Sequence, residues 1–154
     1  MTNKVKPIPD GYHTVTPYLM VKGAANLIEF LTRAFDAQEM LRMPQPDGTI
    51  MHAEVKIGDS IIMLAEANDT HKPGQAAIHL YLPDTDAAYQ RALQAGATSL
   101  REPVDQSYGD RSAGVQDASG TSWWLATHIE DVSFEELAKQ NVGGDAGATS
   151  GSPQ

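Results

Sequence analysis

The chain has no cysteine among its 154 residues, which excludes disulfide frameworks, zinc knuckles, iron–sulfur clusters and every thiol-based mechanism. Basic residues are scarce as well: 11 Lys and Arg stand against 20 Asp and Glu, a formal net charge of −9. No basic cluster interrupts that acidity, so neither a nucleic acid nor an anionic membrane surface is an expected partner. Long apolar runs are also missing; none approaches the roughly 20 residues of a membrane-spanning helix. Lys4 and Lys6 are followed by no apolar segment, so the start of the sequence does not read as a signal peptide. What these absences leave is an acidic globular protein, expected to be soluble and cytoplasmic, sized for one ordinary domain or two very small units sharing a core. Five histidines and the carboxylates still offer nitrogen and oxygen ligands. Aromatic residues make up only 6% of the chain, yet two tryptophans, Trp123 and Trp124, stand side by side.

Residues 1–12, with Pro7, Pro9, Asp10 and Gly11, read as an extended arm. Thr14 to Val21 is rich in β-branched and apolar residues and predicts a strand, which Lys22-Gly23 breaks. Leu27, Ile28, Leu31, Ala34 and Phe35 recur at three-and-four spacing and predict a helix over 24–35, with Asp36 at the left-handed position that ends such a helix. Three strands follow, at Glu39–Met43, at the alternating segment Met51–Ile57, and at Ser60–Ala65 beyond the Gly58-Asp59 turn. A polar connector spans Glu66 to Gln75.

The order then begins again, with a strand at Ala77–Leu82, a helix at Thr85–Ala95 and a short strand at Thr98–Arg101. A loop is expected from Glu102 to Ser112, and a last strand at Trp123–Ala126 beyond the turn at Gly120. Landmarks in the two halves match at a spacing of about 61 residues: Val21-Lys22-Gly23-Ala24 with Leu82-Pro83-Asp84-Thr85, Asp36-Ala37 with Gly96-Ala97, Gly58-Asp59 with Gly120-Thr121. Ser133 and Glu136 form a capping box that opens a helix over 133–141, and the Gly- and Ser-rich end, 142–154, is expected to be disordered.

A repeated βαβββ unit with a polar linker resembles the vicinal oxygen chelate superfamily, the glyoxalase, bleomycin-resistance and extradiol-dioxygenase fold. The resemblance covers residues 13–132, unit one at about 13–66 and unit two at about 76–130. Its most specific segments are similar to the PhnB-like branch: Gly11-Tyr12-His13-Thr14-Val15-Thr16-Pro17-Tyr18-Leu19, Met51-His52-Ala53-Glu54, Tyr108-Gly109-Asp110-Arg111 and Ala126-Thr127-His128-Ile129-Glu130-Asp131-Val132. It implies an α+β fold of two tandem units, curved mixed sheets around a concave cavity with helices on the outside. The units of this family commonly pair within or between chains, so a homodimer is expected. Activity does not follow from the fold, because the family hosts isomerases, dioxygenases and non-catalytic binders alike.

In metal-using members of the family, four ligands sit one per inner strand and the ion chelates neighbouring substrate oxygens. Strand patterning places the matching positions at Thr16, Ile62, Ala77 and Trp124, the closing-strand pair being counted four residues beyond each turn glycine. Three of these four offer no ligand atom, so no metal or other cofactor is expected. A non-standard divalent site at His79 and Glu66 stays open as an alternative. Strand alternation instead lines the cavity with Tyr18, Met20, Ile62, Leu64, His79, Tyr81 and Trp124, with Met43 beside them. Such an aromatic and thioether surface suits flat, apolar small molecules.

Several residues keep two readings. His79 is a hydrogen-bond donor or general base, or else a pocket histidine without chemistry. Trp124 looks into the cavity while Trp123 packs under a helix, or both are core. In the loop that begins at Glu102, Tyr108 and Arg111 stand at the cavity mouth, Arg111 either clamping an anion of the ligand or forming a loop ion pair. His13 and His128 read as ties for the arm and the tail, His52 as solvated or at an interface, and His71 carries no signal. The function that fits best is binding or sequestering an apolar or aromatic small molecule without the usual metal. The alternative is an enzyme of isomerase, lyase or dioxygenase type, using the non-standard metal site or His79 with a tyrosine for proton transfer.

Overall fold

The computed structural model describes residues 5–142. Eleven elements follow one another: β1 (Tyr18–Val21), α1 (Ala24–Phe35), β2 (Gln38–Pro44), β3 (Ile50–Ile57), β4 (Ser60–Glu66), β5 (Ala77–Tyr81), α2 (Thr85–Gln94), β6 (Thr98–Asp105), β7 (Asp110–Gln116), β8 (Ser122–His128) and α3 (Phe134–Val142). Two four-stranded sheets result, in the orders β1-β4-β3-β2 and β5-β8-β7-β6. In each sheet the opening strand runs parallel to the closing strand and the other pairings are antiparallel. This is the α+β fold of two βαβββ units that the sequence predicts. Of the segment expected to be disordered, Val142 belongs to α3 and 143–154 lies outside the described residues, as do residues 1–4 of the arm.

Each helix follows from local chemistry. α1 buries Leu27, Ile28, Leu31, Ala34 and Phe35 on one face and ends at Asp36, whose φ of 54° is the expected left-handed cap. Its N-terminus has no side-chain cap from Gly23; the Glu66 carboxylate at the end of β4 accepts from the N–H groups of Gly23 (2.9 Å) and Ala24 (3.1 Å) instead. An anion there meets both unpaired donors and the positive end of the helix dipole. α2 is capped by Asp84, which accepts from the Ala87 N–H at 3.1 Å. At α3 the expected cap is present, with Ser133 Oγ accepting from the Glu136 N–H at 3.2 Å.

Two strand boundaries differ from expectation. β1 begins at Tyr18 rather than Thr14, because Pro17 has no N–H for a ladder and contributes only its carbonyl, to Met63 N. The expected loop over 102–112 is a hairpin: β6 runs on to Asp105 and β7 starts at Asp110. Pro103 reads as a breaker, yet β6 is an edge strand with a register break between Arg101 and Val104, and a proline fits there without leaving a ladder bond unmade.

α1 and α2 pack against each other and against their own sheets, and the helix-facing sides of both sheets merge into one core. Trp123, with no exposed surface, sits at that junction, its ring 5.5 Å from Phe35 of α1 and its Nε1 donating to Asp117 at 2.7 Å. The opposite face of each sheet, here called the open face, makes no substantial contact with the other sheet. Among the described residues, the two sheets thus present two separate open faces.

Candidate functional site

Pairing registers decide which side chains share an open face, since residues directly opposite each other point the same way. In the second sheet His79 pairs with Trp124 and Tyr81 with Ala126. β7 then sets Gly114 against Trp124, Ser112 against Ala126 and Asp110 against His128. The intervening residues Val115, Trp123 and Leu125 take the helix side and are buried. Trp124 can lie across β7 because its neighbour is glycine: a Cβ on Gly114 would fall 2.3 Å from the six-membered ring. On the edge strand Arg101 pairs with Gly114, and its guanidinium carbon stands 5.1 Å from the Trp124 ring centroid, a cation–π distance. Arg101 Nη2 and Gln106 Nε2 both donate to Ser112 Oγ, the latter at 3.2 Å.

A second group lies beside this platform. His79 packs edge-on to Tyr81 with centroids 4.8 Å apart, and Tyr81 donates to Oδ2 of the buried Asp110 at 2.9 Å. That hydrogen bond to a carboxylate raises the Tyr81 pKa above its ordinary value. His128 Nδ1 faces Asp110 Oδ1 and its Nε2 faces Asp131 Oδ1, both at 2.8 Å. The two carboxylates, Asp131 first and Asp110 second, raise the His128 pKa.

On the first sheet Tyr18 pairs with Met63, and Glu54 also pairs with Met63, so Tyr18, Met20, Glu54, His52 and Lys56 share the open face. Tyr18 Oη lies 2.8 Å from His52 Nδ1, His52 Nε2 lies 3.1 Å from Glu54 Oε2, and Tyr12 donates to the other oxygen of the same carboxylate. A phenol, an imidazole and a buried carboxylate thus stand in series within hydrogen-bond distance of one another.

The structure places Tyr18, Met20, His79, Tyr81 and Trp124 on the open faces, as strand alternation predicts, with Met43 beside them opposite His52. Ile62 and Leu64 are corrections. Both belong to the helix-side core, where Leu64 pairs with Leu19 and Ala53, and Ile62 with Val55. The glycine count fails because Gly58-Asp59 joins Ile57 directly to Ser60, whereas Asp117–Thr121 separates Gln116 from Ser122. A one-residue slip reverses the face of every side chain, and Met63 is the counterpart of Trp124. Of the two readings of Arg111, the structure shows the ion pair and corrects its place at the cavity mouth, since the side chain points to the helix side. Its Nε and Nη2 fork onto Asp86 of α2 at 2.6 and 2.9 Å, and Nη1 reaches Asp105 at 3.0 Å. The pairing holds the Asp86 carboxyl below its ordinary pKa. Tyr108 stands half-exposed in the β6–β7 turn. His13 ties the arm to Asp59 O at 3.0 Å, and His128 makes the two ion pairs just described.

Sequence reasoning passed over Arg101, Ser112, the pairing of Asp110 with Tyr81 and His128, and the partnership of His52 with Glu54. His52 was legible: His52, Glu54 and Lys56 alternate with the helix-facing Ala53, Val55 and Ile57, which puts the polar row on the face that Tyr18 shares. Arg101 carried no such signal, because the strand was expected to end there.

The family's metal does not fit these residues. Of the four positions, Ala77, Met63 (replacing Ile62) and Trp124 supply no hard donor, and the Thr16 hydroxyl donates to His13 O at 3.3 Å. Glu66, one half of the non-standard pair, is engaged at the N-terminus of α1. Among the described residues no three His, Asp or Glu side chains converge on a common point.

Comparison with known proteins bears on the same geometry. The family model described as Glyoxalase/Bleomycin resistance protein/Dioxygenase superfamily matches residues 12–125. An uncharacterized protein of Mycobacterium tuberculosis H37Rv, Rv0887c, is 37% identical over 134 residues, covering 80% of this chain and 79% of that protein. Among solved structures, TnmS3, an antibiotic binding protein from Streptomyces sp. CB03234, superposes with a TM-score of 0.60 at 18% identity, over 82% of this chain and 99% of that one. The PhnB protein from Bacillus cereus gives 0.59 at 18% identity, over 75% and 99%. Fold, strand order and matched sequence agree: the chain belongs to the glyoxalase/bleomycin resistance protein/dioxygenase superfamily.

Proposed function

We propose that the protein binds a planar, largely apolar small molecule on the open face of the second sheet, without a metal, and that a second copy of the chain covers that face in a cytoplasmic homodimer. The observation that carries this reading is the Trp124 platform, an indole laid across Gly114 and neighboured by His79 and Arg101. Aromatic faces of this kind recognise flat ligands through stacking and area burial. A family neighbour that is an antibiotic binding protein uses the same fold, which is compatible with sequestration as the role.

The test is a fluorescence titration of chelator-treated protein with a panel of planar aromatics. Binding is expected to quench Trp124 and to survive chelation, and Trp124→Leu should weaken it roughly tenfold or more. Absence of both quenching and thermal stabilisation across the panel would end this reading. The second reading, an enzyme working by proton transfer, draws on the Tyr18–His52–Glu54 series rather than on His79, which lacks a carboxylate partner among the described residues. Recovery of the ligand unchanged after incubation supports binding; its conversion favours the enzyme.

A further inference from the structure

Arg101 is placed with unusual care for an edge-strand residue. β6 breaks register on both sides of it, between Ser99 and Arg101 and again between Arg101 and Val104. Such irregularities turn a side chain away from its regular direction, and here they bring the guanidinium over Trp124. Its charge is left without a counter-ion: among the described residues no Asp or Glu carboxylate lies within ion-pair distance of it. Asp110, on the same face, is taken by Tyr81 and His128. Arg101 Nε is moreover buried with no hydrogen-bond partner. The residue is only partly buried, so the cost falls on this one buried donor that is left unmatched.

The neighbouring polar groups have the same bias. Ser112 Oγ accepts from both Arg101 Nη2 and Gln106 Nε2. A hydroxyl that already accepts twice directs its own hydrogen elsewhere, and that hydrogen has no acceptor among the described residues. Beside the Trp124 ring there is thus a cation that no carboxylate pairs among the described residues, its one acceptor there being the neutral Ser112 hydroxyl.

We propose that Arg101, held in place by the buried Ser112, forms an anion subsite at the edge of the Trp124 platform, selecting planar aromatic ligands that carry a carboxylate or a similar oxyanion. The ligand's anion supplies the counter-ion that is missing among the described residues, while its ring stacks on the indole. This deepens the platform reading and rests on it.

The experiment compares two probes of nearly equal shape, 2-naphthoate and 2-naphthamide, by isothermal titration of the full chain. Wild type is expected to bind the acid at least tenfold more tightly than the amide. Arg101→Gln should bring the two within about twofold of each other by weakening the acid far more than the amide, and Ser112→Ala should reduce the preference in part. Circular dichroism checks that each variant is folded, and the wild-type ratio decides the matter if one is not. Equal binding of acid and amide by wild type would overturn the anion subsite and leave the platform standing, as would a preference that survives in folded Arg101→Gln. Failure of both probes to bind would overturn the subsite and the platform together.

Discussion

A methyl group on Gly114 would meet three atoms of the Trp124 ring at 2.3, 2.6 and 3.0 Å. The backbone at Gly114 is ordinary, with no positive φ, so alanine is excluded there by the indole and by nothing in the chain's own conformation. Gly114→Ala should therefore push Trp124 off β7 and destabilise the fold by about 1–3 kcal/mol, the usual cost of overpacking. In a Trp124→Leu background the same change should cost almost nothing, and thermal or urea unfolding of the four proteins measures the coupling. An equal cost in both backgrounds would show that the ring is not what the glycine accommodates. At this scale alternation in the sequence was informative: it separated Trp123 from Trp124 and placed Tyr18, Met20, His79 and Tyr81 correctly. It misplaced Ile62 and Leu64, because their assignment was counted from a glycine whose turn has a different length in each unit. Gly114 and Arg101 could not be read at all, since their importance depends on a ring contributed by a strand across the sheet.

The elements around the β6–β7 hairpin show why the Tyr108-Gly109-Asp110-Arg111 segment stands out in the sequence. Its residues face different ways and each fastens something else. Gly109, with φ +100°, offers its carbonyl to the N–H groups of Ile129 and Glu130, a closeness that a side chain would forbid, since a Cβ would fall 2.0 Å from Glu130 O. Asp110 holds Tyr81 and His128 on the open face, and Arg111 holds α2 on the other. The end of β8 is fastened in addition by the His128 ion pairs to Asp110 and Asp131. Because these raise the pKa of His128 in the folded chain, the folded state binds more protons than the unfolded one just above the ordinary histidine value of about 6.5. The stabilisation is complete below that value and is lost as pH rises through the raised pKa. Melting temperatures of wild type and His128→Asn, compared at pH 6 and pH 8.5, should differ more at the lower pH. Asp131→Asn should move the His128 titration, followed by NMR, back toward its ordinary value. A gap between the two proteins that is constant with pH would rule out this ionic tether.

Over the whole molecule, the helix-side surfaces are consumed by one shared core, and the open faces are what remains. The sequence predicts the two units and their order, but not which surfaces they turn toward each other, because that depends on contacts such as Phe35 with Trp123 that join segments far apart in the chain. The outcome leaves large apolar side chains uncovered on both open faces: Tyr18 is 43% exposed, Leu41 40%, Met43 41%, Val104 44% and Tyr81 66%. Apolar area collected on one side of a sheet, in a chain whose net charge of −9 otherwise favours solvation, is the kind of surface that the proposed dimer would cover. A second copy is the occupant that follows from the proposed function, since a ligand on the Trp124 platform needs a wall opposite and the first sheet of another chain can provide it. Sedimentation velocity at micromolar concentration should accordingly show a dimer. The double substitution Leu41→Glu with Met43→Glu, on the edge strand β2 and remote from the helix-side core, should shift it to monomer with its circular dichroism intact. Aromatic binding should then weaken by roughly tenfold, as one wall of the site is lost. A wild-type chain that stays monomeric at tens of micromolar yet binds its ligand tightly would mean that the open face works uncovered, with Trp124 and Arg101 sufficient to hold the ligand.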